Sequence, residues 1–252
     1  IASPGAIDPV NGVVVYANNL PFIKFPIADI LKSFIPVKTV LVENDANAAA
    51  KGEAVAGAAK GVADAVMITL GTGVGGGIII DHKVYAGFNY AGAELGHIVI
   101  EHNGRQCSCG RRGCWEAYSS ATGLINMTKE KLDECKEKGI PTLMSKLVEE
   151  EGKVSGKTAF AAMKQGDAPA KEVVDMYISY LGCGLSNIIN IFQPEILVIG
   201  GGICNEKHYL TDPLEVIIKQ ETYGNEAIKP TTLKIAELGN DAGIIGAAVL
   251  GL

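Results

Sequence analysis

Three cysteines and one histidine form the most specific chemical pattern in the sequence. Nine residues separate His97 from Cys107, one separates Cys107 from Cys109, and four separate Cys109 from Cys114. Three thiolates and one imidazole complete a tetrahedral zinc site, and the glycines between them allow a short loop to close around one ion. Because the protein would supply all four ligands, we expect a structural zinc with no open catalytic position. The alternative is a set of reduced cysteines, without metal, beside a core histidine.

A glycine run lies between two predicted strands. Residues 70–77 read Leu-Gly-Thr-Gly-Val-Gly-Gly-Gly and contain the pattern G-x-G-x-x-G. A dinucleotide site of this type needs a following helix, whereas residues 78–80 are three isoleucines that predict a strand; a P-loop needs a Lys-Ser/Thr pair that is absent. A turn remains in which backbone N–H groups and the Thr72 hydroxyl can bind phosphate oxygens. An ordinary glycine-rich hairpin is the alternative.

Carboxylates and amides at two places form a third group. Residues 43–47, Glu-Asn-Asp-Ala-Asn, lie where a predicted strand passes into an alanine-rich helix, and Glu94, His97 and Glu116 surround the cysteine loop. A carboxylate at a strand end can take a proton from a hydroxyl, and Asn and Glu side chains can bind the adjacent hydroxyls of a polyol. The alternative is that Asp45 only caps the helix.

The elements that must position these residues alternate between strands and helices. We predict a helix over 27–34, a strand over 38–43 leading into a helix over 45–60, a strand over 64–70 and a hairpin turned at 81–83. Further along we predict helices over 116–127, 129–138 and 169–192, and a buried strand over 195–199 that ends in three glycines. This alternation, with long helical insertions, predicts an α/β fold.

The composition limits the class of protein. With 252 residues, 48% of them hydrophobic, the chain can bury a large core as one big domain or two lobes. A formal charge of −6 offers no basic field for a polyanion, so we expect no nucleic-acid partner. The apolar runs are too short to span a bilayer, so we expect no membrane partner, and no signal peptide is visible. Cys135, Cys183 and Cys204 are scattered, which does not fit a disulfide framework and predicts a reducing, cytoplasmic location.

These motifs together resemble the ROK family of bacterial sugar kinases and repressors. The resemblance runs through residues 3–5, 44–47, 70–77, 92–97, 113–116, 200–202 and 238–242. It implies a two-lobed, actin-like ATPase fold of the ribonuclease H type. The smaller lobe is expected to hold residues 1–47, with the helix 239–252 packed back on it. The larger α/β lobe is expected to hold residues 48–238, including the zinc loop 97–114.

The resemblance also implies a role for each site residue. Asp45 would be the general base for the sugar hydroxyl and would lie among the sugar contacts, which are Gly5, Asn18, Asn44, Asp45, Glu94, His97 and Glu116. The phosphates of ATP would be held by Gly71, Thr72 and Gly73, and its adenosine by Gly200, Gly201 and Gly202. Mg²⁺ would accompany ATP, while His97, Cys107, Cys109 and Cys114 would hold the structural Zn²⁺. Similarity to glucokinases across residues 69–77 and 120–123 implies transfer to the 6-hydroxyl of glucose.

Several alternatives stay open from the sequence. Kinases of the same family that act on N-acetylglucosamine, N-acetylmannosamine or fructose would carry the same residues. A sugar-sensing repressor would share the fold, although Asp45 and the phosphate turn favour an enzyme. The D-x-G-G-T turn of family enzymes is absent from these 252 residues, so we expect a truncated N-terminal lobe. The resemblance implies a homodimer or a dimer of dimers.

Overall fold

The structure, a computed structural model, describes residues 1–17, 20–224 and 227–251. Its strands are β1 (Ala2–Ser3), β2 (Ala6–Asp8), β3 (Val13–Tyr16), β4 (Ile23–Phe25), β5 (Glu43–Asn44), β6 (Ala65–Leu70), β7 (Val74–Ile80), β8 (Lys83–Val84), β9 (Ile196–Gly200) and β10 (Thr232–Ile235). Its α-helices are α1 (Ile27–Phe34), α2 (Asp45–Ala56), α3 (Glu116–Ser119), α4 (Ala121–Lys138), α5 (Leu143–Glu151), α6 (Thr158–Met163), α7 (Ala168–Phe192), α8 (His208–Glu221) and α9 (Ala242–Ala248). The predicted α/β class is confirmed.

A five-stranded sheet forms the centre of the molecule, with the strand order β10-β9-β6-β7-β8. Strand β6 runs parallel to β9, which runs parallel to β10, whereas β6 and β7 form an antiparallel hairpin through the glycine turn. The register places Thr69 opposite Gly200. Both glycine-rich turns therefore leave the sheet at the same edge.

The two faces of this sheet bury different kinds of side chain. On β6, Val66, Ile68 and Leu70 face a large core that contains residues of α4 and α7. The alternate residues Ala65 and Met67 face a second core, which contains alanines of α2 and of the segment after it, and the first residue of α9. Because side chains of a strand alternate between faces, helices cover both sides of the sheet.

The second half of the glycine run allows α2 to lie directly on the sheet. A Cβ on Gly77 would lie 2.5 Å from the Cβ of Ala50 and 2.7 Å from the carbonyl oxygen of Ala46, so no side chain fits there. Residues 75–77 belong to β7 and serve packing. The glycines of the turn itself are Gly71 and Gly73.

The N-terminal residues form two small sheets around their own apolar cluster. Strands β1 and β5 pair in parallel, and β2, β3 and β4 form an antiparallel sheet over Ile7, Val14 and Val42. The prediction of a strand over 38–43 is wrong except at its last residue. The two-residue strand β1 offers partners only to Glu43 and Asn44, so the preceding residues find no ladder. The lobe boundaries at residues 47 and 238 stay predictions.

The helices follow the predicted order but differ in some bounds. Helix α2 ends at Ala56 instead of residue 60, and α9 spans Ala242–Ala248 within the predicted 239–252. Helix α1 spans the predicted 27–34, and α7 spans the predicted 169–192 with one added residue. The prediction of separate helices over 116–127 and 129–138 is wrong, because Ser120 divides α3 from α4 and caps α4 by accepting the Gly123 N–H at 3.0 Å. Among the described residues, no helix has both the length and the apolar composition needed to cross a bilayer.

Candidate active site

One large cleft opens at the sheet edge where β6 and β9 end. Its volume is about 1020 Å³, which admits ligands larger than a single sugar. The predicted site residues that line it are Gly5, Asn44, Asp45, Gly71, Gly73, Glu94, His97, Glu116, Gly200, Gly201 and Gly202. Thr72 and the three predicted metal-binding cysteines do not line it. Asn18 lies outside the described residues.

Asn44 caps helix α2 and also ties it to the N-terminal strands. Its Oδ1 accepts the N–H groups of Ala46 at 2.9 Å and Asn47 at 3.1 Å, and its Nδ2 donates to the Gly5 carbonyl oxygen at 3.0 Å. One amide N–H of Asn44 therefore remains for a ligand. Asn44 holds the N-cap position that the alternative gave to Asp45, and Asp45 Oδ1 also accepts the Ala46 N–H at 2.9 Å. The role of Asp45 as general base stays a prediction.

Asp45 is the first residue of α2, and its side chain is exposed in the cleft. The next residue, Ala46, lies against the strand that leaves the glycine turn: its Cβ is 3.5 Å from the place that a Cβ would take on Gly75. The carboxylate thus stands at the point where α2 meets β7. A group placed there can act on a ligand bound to the glycine turn.

The glycine turn is supported by the start of α4. Thr122 Oγ1 donates to the Thr72 carbonyl at 2.8 Å, and the Ala121 N–H donates to the Gly71 carbonyl at 2.9 Å. The Gly71 N–H donates across the turn to the Gly73 carbonyl oxygen at 3.0 Å. Within the described part of the chain, the N–H groups of Thr72 and Gly73 have no partner. These two donors are available to an anion such as a phosphate.

The second glycine turn passes directly over the end of β6. Gly201 has a φ of +113°, and a Cβ there would lie 2.0 Å from the Leu70 carbonyl oxygen. Only glycine satisfies both the backbone conformation and the close approach. The turn predicted for adenosine therefore adjoins the turn predicted for phosphate.

The four predicted zinc ligands come together. Their ligand atoms all lie within 4.8 Å of one another, with 3.7 Å between the Sγ atoms of Cys109 and Cys114 and 3.7 Å between Cys107 Sγ and His97 Nδ1. In a tetrahedral site with Zn–S bonds of about 2.3 Å, two sulfur atoms lie about 3.8 Å apart. The residues fit a single zinc ion.

The electrostatics of the thiols also fit a metal site. Burial and the neighbouring thiols of Cys109 and Cys107 together raise the pKa of Cys114 to about 12. Burial would also raise the pKa of Cys109, but hydrogen bonds from the Arg111 backbone N–H and with the neighbouring thiols lower it overall. Three thiols this close do not ionise together without a cation, whereas a divalent ion would stabilise all three thiolates.

Glu116 connects the metal loop to the glycine turn. Its Oε2 accepts the Val74 N–H at 3.0 Å, and its Oε1 accepts the Ser108 hydroxyl at 3.1 Å. Glu94 is exposed just before the 3-10 turn Leu95–His97, which carries the histidine into the cleft. Two carboxylates and one imidazole thus line the cleft beside the first glycine turn.

Five polar residues line the cleft without having been assigned a role from the sequence: Asn47, Thr69, Tyr90, Asn205 and Asn240. Asn47 is 4% exposed, and its Nδ2 donates to Glu43 Oε1 at 3.1 Å. Its Oδ1 is buried and has no partner among the described residues. Asn47 and Asn240 lie in motifs that carry the resemblance, so a signal existed for both. Tyr90 has a φ of +63°, a conformation that no sequence pattern indicated.

Comparison with known proteins agrees with this arrangement. The ROK family profile matches residues 1–252. The glucokinase of Thermotoga maritima is 40% identical over 98% of this chain and 77% of its own length. A ROK family glucokinase from Streptomyces griseus, solved in complex with glucose and AMPPNP, is 34% identical with a TM-score of 0.84, over 99% of this chain and 80% of that one. The xylose repressor of Bacillus subtilis is 31% identical over 98% of this chain and 58% of its own length.

The family match covers the motifs and the fold together. The structural neighbours give the chain the actin-like ATPase fold that the motifs implied. With the cleft, the paired glycine turns and the metal loop in place, the chain belongs to the ROK family.

Proposed function

We propose that this protein is an ATP-dependent glucose kinase in which Asp45 is the general base. One observation carries the proposal: a single cleft is lined by an exposed carboxylate at the start of α2 and by Gly71 and Gly73 of the adjoining turn. The Gly73 N–H is available there, and the Thr72 N–H next to it in the chain is also available. Phosphoryl transfer to a hydroxyl needs a base and a phosphate site side by side. The glucokinase relatives support the same reaction.

The chemical step follows from these positions. The 6-oxygen of glucose attacks the γ-phosphorus of ATP, the bond between that phosphorus and the β,γ-bridging oxygen breaks, and ADP leaves. Asp45 accepts the proton that the 6-hydroxyl loses. Most of the rate comes from holding the two substrates in line, and the base adds roughly 10²- to 10⁴-fold.

The sugar lies between α2 and the metal loop. Gly5, Asn44, Glu94, His97 and Glu116 line this part of the cleft and bind hydroxyls. Because His97 Nδ1 faces Cys107, its Nε2 is the ring nitrogen left for the sugar. The remaining amide N–H of Asn44 is a second donor.

Two metal ions belong to the proposal. Zn²⁺ is held by His97, Cys107, Cys109 and Cys114 and fixes the loop that carries His97 and leads to Glu116. Mg²⁺ enters with ATP, because it prefers phosphate oxygens and water with one or two carboxylates. When bound, it would neutralise phosphate charge, while the N–H groups of Thr72 and Gly73 hold the phosphate oxygens.

A coupled ADP-release assay on the full-length protein tests this function. The assay contains ATP, Mg²⁺ and, in turn, glucose, N-acetylglucosamine, N-acetylmannosamine, mannose and fructose. We expect the highest kcat/KM with glucose. A higher kcat/KM with an acetamido sugar or with fructose would show that this sugar, and not glucose, is the substrate of the same reaction. No turnover with any sugar, together with sugar binding by calorimetry, would contradict a kinase and support a sugar-sensing repressor.

The proposal includes two lobes, residues 1–47 with 239–252 and residues 48–238, that close over the sugar. It also includes a homodimer or a dimer of dimers. Light scattering on the purified protein at micromolar concentration measures the assembly, and a monomer mass would contradict it.

A further inference from the structure

We infer that Glu53 is a positioning residue. It holds the nucleotide side of the cleft, meaning residues 237–242 beside the second glycine turn, in place relative to Asp45. Glu53 lies in α2, the helix that begins with Asp45, eight residues further along. It does not line the cleft, so it acts through the backbone that it binds. This inference rests on the proposed function.

The Glu53 carboxylate is buried and accepts three backbone hydrogen bonds. Its side chain is 1% exposed. Its Oε2 accepts the N–H groups of Ala58 at 2.7 Å and Glu237 at 3.2 Å, and its Oε1 accepts the Leu238 N–H at 2.9 Å. Among the ion pairs of the described residues, none includes Glu53. The three N–H groups therefore provide the compensation that a buried carboxylate needs.

The bound segment leads straight into the cleft. Glu237 and Leu238 follow β10, and Gly239, Asn240 and Ala242 after them line the cleft beside the second glycine turn. No strand pairing holds residues 237–238, because β10 ends at Ile235. Two of the three carboxylate bonds thus fasten an irregular segment of the nucleotide side to α2.

The position of residues 237–241 relative to Asp45 also depends on the contact between α2 and α9. A Cβ on Gly52 would lie 2.3 Å from the Ala242 carbonyl oxygen, so the backbone of α2 passes directly over the first residue of α9. Glu53 is the next residue after this contact. If the bonds to Glu53 were lost, residues 237–241 could shift, and the nucleotide side of the cleft would move while Asp45 at the start of α2 stayed in place.

Asp167 provides a matched control for a purely structural carboxylate. It is also buried, at 8% exposed, and accepts three donors: Thr142 Oγ1 at 3.0 Å, Leu143 N–H at 2.6 Å and Ala170 N–H at 2.8 Å. It caps α7 and does not line the cleft. Asp167→Asn and Glu53→Gln make the same chemical change, a carboxylate oxygen replaced by an amide NH₂ that faces an N–H donor.

The test compares these two variants by steady-state kinetics and by calorimetric binding of AMPPNP. Both variants should unfold at a lower temperature than the wild type. Only Glu53→Gln should raise the KM for ATP and the Kd for AMPPNP, by roughly fivefold or more, since one buried donor loses its acceptor. The KM for glucose should stay within about twofold of the wild-type value, because the residues proposed to bind the sugar are unchanged.

Gly57→Ala is the second variant, in case Glu53→Gln does not fold. A Cβ on Gly57 would lie 2.1 Å from Glu53 Oε2, so it displaces the carboxylate and keeps its charge. Like Glu53→Gln, it should raise the Kd for AMPPNP. Unchanged AMPPNP affinity in a folded Glu53→Gln or Gly57→Ala variant, or an equal change in Asp167→Asn, would overturn the inference. Failure of the wild type to phosphorylate any sugar is a separate result that contradicts the proposed function alone, since AMPPNP binding is measured independently.

Discussion

The two walls of the cleft are built in different ways. On the Asp45 side, a helix cap, a strand pair and close helix–sheet packing position every group. On the opposite side, Glu94 and His97 come from a three-residue 3-10 turn, and Glu116 begins a helix of four residues. Along the metal loop, β pairing consists of two isolated bridges, one between Val99 and Cys114 and one between Gln106 and Arg112.

This difference indicates a division of tasks. The Asp45 side keeps its geometry through backbone hydrogen bonds and packing, so it can hold the reacting carboxylate without a ligand. The metal-loop side has little regular structure, and a bound ion would supply the order that it lacks. We therefore expect changes on the first side to act mainly on the chemical step or global stability, and changes on the second side to act mainly on sugar binding.

The largest effect is expected from Asp45→Asn. The amide keeps the shape of the side chain but cannot accept the proton, so kcat should fall by roughly 10²- to 10⁴-fold. Binding of glucose and ATP should stay nearly intact. The measurement is steady-state kinetics, with Asp29→Asn, an exposed acid of α1, as the control. A kcat within a few-fold of wild type would show that Asp45 is not the base.

The next largest effect is expected from Cys109→Ser on the metal side. Loss of one thiolate should release zinc and raise the KM for glucose by roughly 10- to 100-fold, since His97 and Glu116 lose their support. Stability should fall as well, because binding of a structural metal is coupled to folding. Zinc content by mass spectrometry, kinetics and the melting temperature check the prediction.

Cys183→Ser is the control for that variant, because Cys183 is a free thiol on α7 and is not one of the four residues of the metal group. It should keep zinc, sugar affinity and melting temperature. If Cys109→Ser also kept all three, the metal loop would order itself without zinc and the division between the walls would be wrong.

A smaller effect, on stability, is expected from Gly246→Ala at the crossing of α2 and α9. A Cβ at this position would lie 1.6 Å from the Ala48 carbonyl oxygen, a backbone atom that cannot move alone. Overpacking of this kind costs about 1–3 kcal/mol of unfolding free energy. Gly243→Ala in the same helix meets open space and should raise stability, by up to about 1 kcal/mol. Denaturant titration of both variants measures the difference; equal stabilities would show that the crossing is not tight.

The smallest effect is expected from removing the helix cap with Asn44→Ala. The Asn47 N–H loses its acceptor and the Ala46 N–H keeps only Asp45 Oδ1, which costs about 1 kcal/mol. Asn44→Ser retains a capping oxygen but has no amide to reach Gly5, so it should keep most of the stability. Both should raise the KM for glucose if the free amide N–H binds the sugar. Equal unfolding free energies for the two variants would contradict the capping role.

The sequence predicted best where local chemistry decides the structure. The spacing of His97, Cys107, Cys109 and Cys114 predicted one metal site, and their ligand atoms meet within 4.8 Å. The glycine run predicted a turn between two strands, and residues 70–74 form it. In both places the information lies within a few neighbouring residues.

Features that depend on distant partners could not be predicted. The strand expected over 38–43 shrinks to Glu43–Asn44 because β1 offers only two partners. The role of Glu53 depends on Leu238, which is 185 residues away in the sequence. The glycines of β7 look like part of the phosphate turn until α2 is seen to lie on Gly77. Tertiary packing assigns each of these residues its role.

Calorimetric titration of glucose into the wild type, Asp45→Asn and Cys109→Ser proteins tests the division between the walls most directly. We predict that Asp45→Asn binds glucose within about threefold of the wild-type Kd while its kcat falls by at least about a hundredfold. Cys109→Ser should bind glucose at least about tenfold more weakly. If Asp45→Asn weakened glucose binding as much as Cys109→Ser does, both walls would serve binding alike and the account would be contradicted.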